Sequence, residues 1–211
     1  MSSAWQDRSH DLDSLDQLRS LYPPPEAPAT LDKECDHIHP LYRPFIEAAP
    51  FAVLATRGPR GLDTSPRGDA AGFVTVADEK TLLLPDRRGN NRIDSLRNVL
   101  HDPEVALLFL IPGIGEALRV NGRARINAAP ALLQRFEFEG KLPRSVLVIE
   151  VKLVFFQCAR AIKRSGLWEP AAQIARSALP STGSILQALS ARVDGAAYDV
   201  ALEERQRLTM Y

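Results

Sequence analysis

Between residues 51 and 157 the chain repeats one pattern: a short apolar run, a polar turn rich in glycine, proline or asparagine, then another apolar run. FAVLAT opens the series at Phe51 and is closed by Arg57-Gly58-Pro59, after which residues 62–66 can return beside it as a hairpin arm. GFVTV, TLLL, VALLFLI, ALRVNGRARI and SVLVIEVKLVFFQC follow. Helical patterns interrupt them only at 92–100 and 130–139, so strands and helices do not alternate in the way a doubly wound parallel sheet requires. The pattern predicts a mainly β domain with flanking helices, built as a small antiparallel barrel.

The flanks read differently. Leu12, Leu15, Leu18 and Leu21 recur at helical spacing, with Asp11 or Asp13 placed to cap that helix. The YPPPEAPAT run that follows predicts an extended linker. A second helix is expected over 33–48, with Ile38, Leu41, Phe45 and Ile46 on one side and a kink or break at Pro40 and Pro44. After Ala159 the chain turns helical again, with Ile185, Leu186, Leu189 and Val193 on one face and a last helix over 197–208. The organisation expected is a helical extension with a proline-rich linker at 1–48, a β domain at 49–168 and a helical extension at 169–211. A length of 211 residues suits one such domain with added helices.

Charge and targeting narrow the partners. The 26 basic residues balance the 26 acidic ones, which argues against a nucleic-acid partner, and the arginines gather at a few turns, which favours a small anionic ligand. The first residues are too polar for a signal peptide and no run is long enough to span a bilayer, so no membrane partner and a cytoplasmic location are expected. Cys35 and Cys158 stand apart and are read as free thiols. His37 and His39, near Glu34 and Cys35, carry metal-binding residue types, but an i, i+2 pair points to different sides of a helix and no second cluster completes four ligands; no metal is expected. Gly113-Ile114-Gly115 imitates a dinucleotide turn, but its place between two strand candidates is that of a hairpin.

Four segments carry candidate chemistry. In LLLPDRRGNNRIDSLRN a strand runs into a cationic turn and then a helix: Arg87, Arg88 and Arg92 offer charged donors, Gly89 loosens the backbone, and Asn90 or Asn91 can cap a helix starting near Arg92. This is an anion cradle, with a solvated turn as the plain alternative. In Asp63-Thr64-Ser65-Pro66-Arg67, strand alternation turns Ser65 and Arg67 to one face and Thr64 to the other. In RVNGRA, Arg119 and Arg123 share a face, and Gly122 permits close approach of another backbone or a flat ring. In KRSGLW, Lys163, Arg164 and Trp168 can clamp an anionic aromatic ligand, or form a surface turn with a packed indole.

Taken in order, Ser65-Pro66-Arg67-Gly68, GFV, TLLLPDRRGNNRIDSLRN, HDPEVALLFLIPG, RVNGRA and CARAIKRSGLW resemble the pyridoxamine 5′-phosphate oxidase-like, FMN-binding split-barrel family over residues 51–168. The likeness is greatest to its branch of FMN-dependent enzymes with unassigned substrates. The resemblance implies a six-stranded antiparallel split β-barrel, a homodimer, and one FMN at each of two sites along the subunit interface. It places Asn90, Asn91 and Arg92 at the family's serine-arginine-lysine phosphate turn. Asn91 replaces a cation there, so Arg87, Arg88 or Arg67 supplies the missing charge. Leu84, Pro85 and Asp86 would line the flavin, Ser65, Pro66 and Arg67 would reach it from the neighbouring strand, and Lys163, Arg164 and Trp168 would complete the pocket, from the same chain or across the dimer. The arginine-x-histidine segment that holds substrate in authentic pyridoxamine-phosphate oxidases has no counterpart after Trp168. The implied activity is therefore transfer of hydride or electrons from a reduced nicotinamide-type donor to a small organic acceptor. The alternatives are a flavin-binding module for storage or sensing, and the same barrel holding haem or a deazaflavin.

Overall fold

The computed structural model describes residues 4–22, 24–25 and 27–210. Pro23 and Glu26 of the expected linker lie outside the described residues. The chain divides into two compact units, 1–34 and 35–211. In the first, helix α1 (Leu15–Leu21) is capped by the Ser14 hydroxyl, which accepts from the Gln17 amide, rather than by Asp11 or Asp13. A single 3-10 turn, Pro28–Thr30, follows.

The second unit is built on seven strands: β1 (Phe51–Gly58), β2 (Gly61–Gly68), β3 (Thr75–Asp78), β4 (Thr81–Pro85), β5 (Glu104–Leu110), β6 (Ala117–Asn127) and β7 (Val146–Gln157). They form one antiparallel sheet in the order β2-β1-β5-β6-β7-β4-β3. This corrects the expected six strands. The return arm of the first hairpin is a full strand, in register with β1 from Gly58↔Gly61 to Phe51↔Gly68. Among the described residues no backbone pairing joins edge strands β2 and β3, so the sheet is open.

The sheet nevertheless curls, because its inward side chains share one core. Leu54 of β1, Val76 of β3, Leu82 and Leu84 of β4, Leu107 and Phe109 of β5, Leu118 and Val120 of β6, and Leu147 and Ile149 of β7 pack in a single buried cluster. Alternation explains most strands, whose outward residues are partly exposed. From Leu82 to Pro85 β4 is apolar and buried because both its faces are covered. Leu83 points away from the main core into a second cluster with Phe136 and Val146, beside Leu132 and Leu133 of helix α4 (Pro130–Gln134). Gly122 serves backbone packing: a Cβ there would stand 2.3 Å from the Glu150 carbonyl oxygen, where β7 steps out of register.

Several helices are shorter than the sequence pattern suggests. Only Arg43–Ala48 of the 33–48 segment is helical (α2), since Pro44 fits a first turn and Pro40 cannot continue one, and Cys35 instead bridges Val154. Helix α3 runs Asp94–His101. Beyond β7 come α5 (Arg160–Ser165), two 3-10 turns, α6 (Thr182–Leu189) and α7 (Gly195–Thr209). Val193 falls between α6 and α7, which cross where Gly183 and Gly195 leave no room for a Cβ. No described helix is long and apolar enough to cross a membrane.

Candidate functional site

β2 contributes nothing to the core. Its side chains alternate between exposed and half-buried, and the half-buried set is Asp63, Ser65 and Arg67. That face of β2, from Asp63 to Gly68, forms one wall of a cleft of about 640 Å³. The other wall is the segment from Asp86 to Leu96, which leaves the end of β4 and enters α3. The volume lies within the range of about 300–1,000 Å³ common for small-molecule sites.

Two crossed ion pairs tie these walls together. Arg67 on β2 reaches Asp86 beyond β4 (Nη1 to Oδ1, 3.2 Å), while Asp69 beyond β2 receives Arg87 beyond β4 (Nε to Oδ2, 2.7 Å). They close by side chains the seam that backbone pairing leaves open. Arg87 is fully engaged: its Nη1 also donates to the Phe136 carbonyl at 2.7 Å, and its guanidinium stands 5.9 Å from the Phe138 ring centroid. The Asp69 side chain is only 3% exposed. Arg67 is different. Its Nε is buried and has no hydrogen-bond acceptor among the described residues.

The cationic turn itself is strained and pinned. Asn90 Oδ1 accepts from the Arg92 amide at 3.1 Å, and Asn91 has φ 59°, which asparagine tolerates. Ile93 has φ 51°, unusual for a β-branched residue and costing on the order of 1–3 kcal/mol. It occupies the N-cap position of α3, so neither asparagine caps that helix as the sequence suggests. Tertiary anchors replace the cap: Asn98 Nδ2 donates to Thr56 Oγ1 at 3.0 Å and to Asp63 Oδ2 at 3.4 Å. This approach requires Gly58, where a Cβ would lie 1.9 Å from Asn98 Oδ1. Arg144 secures the turn from its other side through Asn91 Oδ1 at 3.2 Å.

With α3 so held, its first turn, Asp94, Ser95 and Leu96, borders the cleft, and unpaired first-turn amides attract anions. Ser95 is buried there, and the sequence reading missed it, although a serine in the first turn after a cationic loop was a usable signal. Arg92 binds Asp94 through Nε and Nη2 at 2.9 and 2.8 Å. That contact holds the Asp94 carboxyl below its usual range, with Arg60 and Arg97 adding to the effect. Arg88 lines the cleft without a hydrogen-bonded partner among the described residues.

The structure thus brings Ser65, Pro66, Arg67, Asp86, Arg87, Arg88, Asn90, Asn91 and Arg92 around one cleft. Leu84 and Pro85 are buried in the strand behind it. Lys163, Arg164 and Trp168 do not border it; α5 packs against the β5–β6 turn, where the Trp168 indole donates to the Ile114 carbonyl at 2.8 Å. Gly115 permits that packing, its Cβ position being 2.8 Å from the Ala159 Cβ.

Fold and cleft define a curled antiparallel β protein with a cation-lined site at its seam. A family model described as pyridoxamine 5′-phosphate oxidase matches residues 38–158, more than half of the chain, and the protein belongs to that family. Among solved structures it is similar to a variant of HupZ from Group A Streptococcus, with 18% identity and a TM-score of 0.47 over 57% of this chain and 99% of that one. It is also similar to general stress protein 26 from Bacillus anthracis, at 15% identity and a TM-score of 0.39, covering 55% of this chain and 93% of that one. A protein from Clostridium acetobutylicum related to general stress protein 26, of the pyridoxinephosphate oxidase family, gives 12% identity, a TM-score of 0.43 and coverages of 55% and 84%. No curated protein matches the chain significantly in sequence.

Proposed function

We propose that this chain is an FMN-dependent oxidoreductase that passes hydride or electrons between a reduced nicotinamide-type donor and a small organic acceptor, and that it works as a homodimer. The observation that carries the cofactor reading is Arg67: a buried guanidinium Nε without an acceptor, on the wall of a cleft bordered by Arg88, Arg92 and the first turn of α3. A buried donor left unpaired costs about 1–3 kcal/mol, and an anion in the cleft removes that cost. Family membership supports the choice of FMN among anions. The curled sheet is then the family's split barrel, with the ion-paired seam as its split and residues 1–48 and 169–211 as helical extensions.

Bound FMN would supply the redox chemistry. The protein's part is to bind and orient. Arg67, Arg88 and Arg92 present charged donors to the phosphate, and guanidinium groups make bidentate bonds to its oxygens. The Ser65 hydroxyl, on the same face as Arg67, offers a further polar contact. Arg87 stays with Asp69 and keeps the walls together. The purified protein is expected to be yellow, with flavin absorbance and one FMN per chain by mass determination. A colourless protein that fails to bind added FMN sinks the reading, and a haem or deazaflavin spectrum replaces it.

The outer face of β1 and β5 supports the dimer. Phe51, Val53 and Ala55 stand in register with Leu110, Leu108 and Ala106, an apolar strip in which Phe51 is exposed and the other five are only half-buried in the single chain. A second copy would cover it, and Lys163, Arg164 and Trp168 would then border the partner's cleft. Sedimentation is expected to give twice the 23.3 kDa chain mass. A monomer at micromolar concentration overturns the dimer and the cross-subunit role of those three residues.

A further inference from the structure

Beside the cleft, across Arg92 and Asp94, lies a second depression of about 510 Å³. Its walls are the tip of the β1–β2 hairpin, with Pro59 and Arg60, and the outward side of α3, with Arg97 and His101. The charge in it is lopsided. Arg60 and Arg92 both turn to one carboxylate, Asp94, at 3.6 and 2.8 Å, and Arg97 has no hydrogen-bonded acceptor among the described residues. Three guanidinium groups and an imidazole therefore face a single carboxylate. Two features aim this cluster. The Asn98 anchor to Thr56 fixes the rotation of α3, and Gly58 lets the hairpin bearing Arg60 close upon that helix. The depression meets the cleft along Asn91, Arg92 and Asp94, which border both.

We infer that this second pocket binds a phosphoryl group carried by the co-substrate, so that a phosphorylated molecule spans from the pocket into the cleft. The choice of phosphoryl follows from the donors. Guanidinium forks on separate elements can converge on a tetrahedral anion with several acceptor oxygens, whereas a planar carboxylate satisfies one fork. Arg92 stands between the two sites and shares its charge with each. The assignment of this anion to a co-substrate rests on the flavin reading of the cleft; the pocket's preference for phosphoryl groups does not.

The test is calorimetric titration of pyrophosphate into the full chain, with and without saturating FMN, for the native protein and the double variant Arg60→Ala/Arg97→Ala. Pyrophosphate is expected to bind in the presence of FMN, and the double variant to bind it at least about 100-fold more weakly, as expected for loss of two charge-assisted contacts. FMN affinity, read by flavin fluorescence, is expected to be unchanged in that variant. Arg60→Lys/Arg97→Lys, which keeps charge but not the fork, is expected to recover only part of the loss. Equal pyrophosphate affinity in native protein and double alanine variant overturns the inference, as does complete displacement by FMN or equally tight binding of malonate. Failure of the flavin reading is a separate result: pyrophosphate binds and FMN does not.

Discussion

Replacing Arg87 by alanine is expected to lower unfolding stability by about 3–5 kcal/mol, the range for removing one partner of a buried ion pair. The Asp69 side chain is 3% exposed and would be left in the interior without the guanidinium that now stands 2.7 Å away. The Phe136 carbonyl would also lose its donor. Urea unfolding followed by circular dichroism measures the change. The double replacement Arg87→Met/Asp69→Leu should recover much of it, because an apolar pair carries no desolvation cost. Arg88→Ala, one residue away but exposed and unpaired among the described residues, should stay within about 0.5 kcal/mol of the native protein. Equal midpoints for Arg87→Ala and the native protein would remove the seam clamp from the account.

Arg67→Ala is expected to act mainly on the proposed FMN site. Loss of a largely buried guanidinium is expected to cost about 2–5 kcal/mol of FMN binding, or roughly 30-fold in Kd at the lower bound. The variant also leaves Asp86, whose side chain is 21% exposed, facing the cleft as an uncompensated carboxylate that repels phosphate. Arg67→Lys should fall between the two, since an ammonium restores charge but cannot serve Asp86 and a phosphate as a fork does. Flavin fluorescence titration measures all three. Unchanged affinity in Arg67→Ala would take this residue out of the site.

The contrast between these arginines marks the limit of what was legible in the sequence. Arg67, Arg87, Arg88 and Arg92 all sat in turn or strand-end motifs, and their gathering around one cleft was expected from the family resemblance, alternation by itself pairing Arg67 only with Ser65. Their division of labour was not. Arg87 is committed to a carboxylate 18 residues away and Arg67 to one 19 residues away, and such pairing is set by how the sheet curls. The strands themselves were legible wherever one face is buried, as in β1 and β5. The apolar run of β4 was visible too, but not its two-sided cover, which depends on α4. The start of α3 was misread for a related reason: Asn98, at its fifth position, holds the helix through Thr56 and Asp63, and no local cap is used.

Pro66 has a second consequence. It lies in edge strand β2, where the pairing with β1 runs through all eight residues without a break. A proline keeps such a ladder intact only if its nitrogen faces away from the partner strand, toward the free border. That border therefore lacks one of the donors that a passing strand from another molecule would need, and the charged neighbours Asp63 and Arg67 make it still less hospitable. The residue that marks the ligand motif thus also guards the molecule against polymerising along its own sheet.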